Sequence, residues 1–167
     1  MSRMLSGSPE TKSSDLSCAH RRLINVAIVD DQDSIRLILC RILDESGLFR
    51  CVGSYATGEE ALRGVPDVRP EVVLMDIRMP GISGIESMRR LKQKLPGLIV
   101  VLVSGVADPD TMAEALAAGG DGYLTKPFAA SQCLATLTLA LRSKTPGSPG
   151  GGDACCTSGT RTTRLPG

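Results

Sequence analysis

Five side chains in this 167-residue sequence stand at the ends of apolar runs and carry groups able to do chemistry. Asp30 and Asp31 follow INVAIV at 24–29, Asp76 closes VVLMD at 72–76, Ser104 follows LIVVLV at 98–103, and Lys126 follows GYLT at 122–125. If those runs lie side by side in a parallel sheet, their carboxyl ends bring three carboxylates together. Three such charges repel unless a hard divalent cation sits among them. A hydroxyl and an ammonium on neighbouring strands add donors suited to phosphate oxygens. Carboxylate nucleophile, metal, hydroxyl and cation together form the equipment for transferring a phosphoryl group onto an aspartate.

The elements that must position these groups alternate five times between strand and amphipathic helix. Strands are expected at Ile24–Val29, Cys51–Tyr55, Val72–Asp76, Leu98–Val103 and Gly122–Thr125. The first helix is expected over Ser34–Ser46, capped by Asp33, with Ile35, Ile38, Leu39, Ile42 and Leu43 on its buried face and Gly47 as its stop. The second starts near Gly58 and should be short, because Gly64 and Pro66 interrupt it. Ser83 and Glu86 have capping-box spacing for a third helix reaching Lys94. Asp108 and Pro109 read as N-cap and first residue of a fourth that stops at Gly119, and Ala130–Arg142 forms a fifth.

Five βα units with buried strands give an α/β fold: a five-stranded parallel sheet of order 2-1-3-4-5, covered by helices on both faces in the flavodoxin-like, doubly wound manner. Ligands in such sheets bind beyond the carboxyl ends of the strands, where the strand order reverses. Here that point lies between the first and third strands, beside Asp30, Asp31 and Asp76.

Composition narrows the alternatives. The aromatics are two Phe and two Tyr with no Trp, too few for a stacking platform on single-stranded nucleic acid. Residues 24–142 hold 12 Lys/Arg against 15 Asp/Glu, so this part is mildly acidic and offers no basic field for specific nucleic-acid binding. No apolar run approaches the length of a membrane span, and the N-terminus lacks a signal-peptide core. A cytoplasmic protein is expected. Of the six cysteines, Cys40, Cys51 and Cys133 have apolar neighbours and are expected to be reduced core or near-core residues, while Cys155 and Cys156 fall in a tail. None has zinc-site spacing. His20, the single histidine, lies in an N-terminal flank and orients nothing. Residues 1–23 are expected to be a disordered, basic flank. Residues 143–167 are expected to be a Pro/Gly-rich tail or a truncated linker.

The segments VDD at 29–31, MDIRMPGISG at 75–84, VSG at 103–105 and GYLTKPF at 122–128 resemble the receiver domain of two-component response regulators, over residues 24–142. The resemblance implies that Asp76 is the phosphoacceptor. It implies that Asp31, Asp76 and the backbone carbonyl of Arg78 ligate Mg²⁺, with Asp30 acting mostly through water. Ser104 would contact the phosphoryl group and Lys126 pair with it. The Lys126–Pro127 peptide would be cis, and Ser104 with Tyr123 would form the switch. The domain would catalyse only its own phosphorylation and dephosphorylation. Its phosphodonor would be a sensor histidine kinase or phosphotransfer protein. Its output face, including Asp110, Glu114 and Asp121, would lie on the fourth helix, fifth strand and fifth helix and support docking or a homodimer.

The stretches GLFRCVGSYATGEEAL and AGGDGYLTKPF are most similar to receivers of LuxR-like transcription factors, in which a helix-turn-helix follows a linker. The last 24 residues hold no such helices. The chain is therefore expected either to stand alone with a long tail or to end before a DNA-binding domain. The haloacid-dehalogenase phosphatases offer a rival, with Asp31-Gln32-Asp33-Ser34-Ile35 as a near match to their D-x-D motif. That family needs acidic metal ligands after its lysine, and Asp153 is the single acid beyond Lys126.

Overall fold

The computed structural model describes residues 22–105 and 108–144. Residues 1–21 and 145–167 of the expected flanks, with His20, Cys155 and Cys156, lie outside the described residues; Arg22 pairs with Glu71, and Ser143 and Lys144, expected in the tail, continue the last helix. Elements alternate as β1 (Ile24–Val29), α1 (Asp33–Glu45), β2 (Phe49–Tyr55), α2 (Gly58–Val68), β3 (Val72–Asp76), α3 (Gly84–Lys94), β4 (Ile99–Ser104), α4 (Pro109–Ala117), β5 (Gly122–Thr125) and α5 (Ala130–Lys144). All strand pairs are parallel and the order is β2-β1-β3-β4-β5.

Strand alternation divides the core into two layers. Val26, Ile28, Val72, Leu74, Val101 and Val103 pack with Leu39 and Leu43 of α1 and with Cys133 and Leu137 of α5. The intervening Ala27, Val29, Val73, Met75, Val100 and Leu102 pack with Ala61 and Val65 of α2, Met88 and Leu91 of α3, and Ala115 of α4. With each fully buried Val, Leu or Met contributing about 1.5–3 kcal/mol, both faces of the sheet hold it together.

Five local expectations are corrected. α2 is not short. It runs through Gly64 and Pro66 to Val68 because both breaks are compensated. Pro66 has no N–H for the Leu62 carbonyl, and Lys94 Nζ of α3 donates to that oxygen instead at 3.2 Å. Gly64 lies against the Tyr55 ring, where a Cβ would come within 2.4 Å of the ring edge, so this glycine serves close packing of helix on strand.

Asp33 does not cap α1. Gln32 holds that position without a side-chain cap, and Asp33 sits in the first turn, where its charge favours the positive helix end. On the same helix, Ile38 is half exposed beside the more exposed Leu37, whereas Leu39 and Leu43 are fully buried. β2 begins two residues earlier than expected, at Phe49, and β4 is shifted by one, because pairing with neighbouring strands sets the ends. The caps at Ser83 and Asp108 are as read: Ser83 Oγ accepts from Glu86 N, and the Asp108 carboxylate from Asp110 N and Thr111 N.

Candidate functional site

The site forms where the first, third and fifth strands end. Asp30 and Asp76 each lie two residues beyond a core residue of the same layer, Ile28 and Leu74, so alternation sends both to one face. Lys126 Nζ reaches across from the end of β5 and donates to both, at 2.6 Å to Asp30 Oδ2 and 2.7 Å to Asp76 Oδ1. Asp30 and Asp76 are 1% and 4% exposed, values at which a carboxylate requires partners. Asp30 Oδ1 accepts from Gln32 N at 2.9 Å and Asp76 Oδ2 from Arg78 N at 2.8 Å. Each acid therefore closes a small turn on its own loop and offers its other oxygen to the lysine.

Burial pushes the Asp76 carboxyl above the ordinary range, and the hydrogen bonds and charge of Lys126 only partly oppose this. Burial pulls Lys126 downward, but its bonds to Asp30 and Asp76 outweigh that, and its pKa is raised. It stays an ammonium.

Ser104 is fully buried at the end of β4, and its carbonyl accepts from Lys126 N at 2.7 Å. The Lys126–Pro127 peptide is cis. Tyr123 is half-buried and packs against the core layer formed with α2, α3 and α4. Asp31 lies exposed at the rim, as does Arg78.

Two of the three carboxylates thus converge, on Lys126 rather than on one another. Among the described residues no group of three His, Cys, Asp or Glu side chains is gathered closely enough to hold a metal ion. The donor chemistry still fits Mg²⁺. Asp30 and Asp76 share one positive charge, Asp31 adjoins Asp30 in sequence, and every donor is a hard oxygen.

Sequence reading assigns no role to three residues that hold this geometry. Gly84 opens α3 directly against β3: a Cβ there would lie 2.0 Å from the Asp76 carbonyl oxygen, while Gly84 N donates to Ile77 O at 3.0 Å. Its signal was a glycine eight residues past the acid, inside a capping motif. Glu59 of α2 accepts from Ile82 N at 3.1 Å and holds the β3–α3 loop. Arg36 donates to the Asp30 carbonyl at 2.6 Å and pairs with Asp33. Nothing in the spacing of Glu59 or Arg36 distinguishes them from surface charges. Asp33, exposed and paired with Arg36, is not part of a D-x-D metal site with Asp31.

The model of the response regulator receiver domain matches residues 26–138, from within β1 to within α5. The chain belongs to that family. This receiver is 35% identical over 117 residues to the response regulator GacA of Pseudomonas viridiflava, an alignment covering 70% of this chain and 55% of GacA. The chain thus spans about half the length of that relative. Its structure is similar to the signal receiver domain of a modulated diguanylate cyclase from Desulfovibrio desulfuricans G20, with TM-score 0.66 and 31% identity over 74% of this chain and 97% of the other. Likeness to CheY in a CheX–CheY–BeF3–Mg complex from Borrelia burgdorferi (TM-score 0.67, 24% identity, 71% and 89% of the two chains) shows the shared fold. It is the receiver of a two-component response regulator. No helix among the described residues is long and apolar enough to cross a membrane.

Asp121, expected on the exposed output face, is turned inward. Its carboxylate accepts from Val100 N at 2.8 Å and Lys92 Nζ at 2.6 Å, with Lys144 Nζ 3.5 Å away. Asp110 and Glu114 remain exposed.

Proposed function

We propose that Asp76 accepts a phosphoryl group from a sensor histidine kinase or phosphotransfer protein in a Mg²⁺-dependent reaction, and that phosphorylation alters the face made by α4, β5 and α5. The observation that carries this reading is the single ammonium of Lys126 shared by two buried carboxylates at the point where strand order reverses. A carboxylate oxygen of Asp76 attacks phosphorus, and the donor's imidazole departs with the bonding electron pair. Lys126 then donates to the phosphoryl oxygens, and the Ser104 hydroxyl supplies a second contact. Asp31, Asp76 and the Arg78 carbonyl would hold Mg²⁺, with Asp30 reaching it through water. When bound, the ion offsets the charge of carboxylates and phosphoryl group together. No separate substrate is turned over; the domain promotes its own phosphorylation and dephosphorylation.

The output face offers a groove of about 580 Å³ between α4 and α5, lined by Met112, Tyr123, Leu124, Ala135 and Leu139. Half-exposed Met112 and Leu139 suit a second copy or a partner protein. The acidic balance of the domain supports no specific nucleic-acid binding by this chain alone, and we place the receiver in the cytoplasm, where its kinase would phosphorylate it. A second reading rests on length. Because GacA extends well beyond the aligned region, this reading makes the receiver the N-terminal part of a LuxR-type transcriptional regulator.

The test is incubation with a small phosphodonor and Mg²⁺, followed by intact mass. One phosphoryl group is expected, lost on chelation and absent in Asp76→Asn. A phosphoryl group that persists in Asp76→Asn overturns the assignment.

A further inference from the structure

Away from the acidic site, α1 and the edge strand β2 bring two sulfurs together. Cys40 and Cys51 are free thiols whose Sγ atoms lie 2.6 Å apart. The approach is built into the backbone. The β1–β2 register pairs Val26 with Cys51 but Ala27 with Gly53, so Val52 is an extra residue and β2 bulges there. At the bulge, Cys51 N donates to Asp44 Oδ1 of α1 at 3.0 Å. Cys40 lies one helical turn before Asp44, on the same stripe of α1. One stripe therefore fixes both the backbone and the sulfur of Cys51. Both cysteines are half-buried against the core layer formed with α1 and α5, whereas Cys133 of that layer is fully buried.

We propose that Cys40 and Cys51 are a site of reversible oxidation, forming an intramolecular disulfide with low-molecular-weight disulfides such as oxidised glutathione and thereby clamping α1 to β2. One protein thiol, deprotonated, attacks the oxidant's disulfide and releases one small thiol, leaving a mixed disulfide. The second thiol gives up its proton and attacks the protein sulfur of that intermediate, forming the Sγ–Sγ bond and releasing the second small thiol. Two protein thiols lose two electrons and two protons, and the oxidant takes them up as two thiols. Burial and the Cys40 neighbour push the Cys51 thiol up to about 12, which keeps that thiol protonated at neutral pH and makes its oxidation faster as pH rises. The helix so clamped is the one whose Arg36 holds the Asp30 carbonyl.

The site is tested in the full chain carrying Cys18→Ser, Cys155→Ser and Cys156→Ser, which removes competing thiols. After equilibration with oxidised glutathione, alkylation and trypsin, the arginines place Cys40 in the peptide Leu37–Arg41 and Cys51 in Cys51–Arg63. The expected product is these two peptides joined with loss of two hydrogens and separated again by reduction, with Cys133 alkylated only after unfolding. The oxidised chain is expected to unfold several degrees higher than the reduced one, a shift absent in Cys40→Ser and Cys51→Ser. Peptides that stay separate, alkylated or each carrying glutathione, overturn the proposal. The outcome does not depend on the role of Asp76.

Discussion

Lys126 Nζ lies 2.7 Å from Asp76 Oδ1 although 50 positions separate the residues, and the same nitrogen is 2.6 Å from Asp30. One cation thus holds two buried acids, and the balance has opposite consequences for the partners. Removing the lysine leaves two carboxylates facing each other without compensation. Lys126→Met is expected to lower stability by about 2–4 kcal/mol in urea unfolding. Asp76→Asn removes a charge that burial disfavours and is expected to leave stability equal or raise it by about 1 kcal/mol. A destabilised Asp76→Asn beside an unaffected Lys126→Met would show that the ammonium does not offset the acids.

Gly84→Ala tests how closely α3 approaches the site. The new methyl would overlap the Asp76 carbonyl oxygen, which is backbone and cannot swing aside. A loss of about 1–3 kcal/mol is expected, with reduced phosphoryl acceptance as Asp76 is displaced. Gly97→Ala, whose Cβ meets nothing within 4 Å, is the control.

Asp108 links the start of α4 to pH. Hydrogen bonds from the Thr111 hydroxyl and from the N–H groups of Thr111 and Asp110 hold its carboxyl below the usual range. The folded form therefore binds this proton less readily than the unfolded chain. Its contribution is complete above the ordinary carboxylate pKa of about 4 and is lost as pH falls through the lower folded value. The stability gap between wild type and Asp108→Ala is expected to be constant near neutrality and to shrink in acid. A gap that widens in acid would reverse the sign.

Ser104 and Tyr123 stand on adjacent strands, with Leu102 of β4 in register with Tyr123. If the buried Ser104 hydroxyl turns toward a phosphoryl group, the half-buried Tyr123 ring fills the vacated space and the α4–β5 surface shifts population. Beryllofluoride, a phosphate mimic, is expected to move amide signals of α4 and β5 in wild type and not in Ser104→Ala. Equal movement in both would exclude this relay.

The sequence by itself determined the fold class, the strand order and, β4 apart, which residues end the strands. Apolar periodicity is a local property, and parallel βα units permit few topologies. It also brought Asp30, Asp76 and Lys126 to one edge, because each follows its own strand. What tertiary structure decided was how those groups share space. Whether Asp31 faces inward or lies at the rim depends on the turn into α1, which Arg36 and Asp30 set through contacts that periodicity does not encode. Pro66 reads as a break until Lys94 of another helix satisfies the Leu62 carbonyl, and Gly64 reads as one until Tyr55 occupies its open side. Asp121 reads as a surface acid until Lys92 and Val100 converge on it. For Pro66 and Asp121 the deciding partner is remote in sequence. Local propensity is a weak prior, and one well-placed hydrogen bond from a packed neighbour outweighs it.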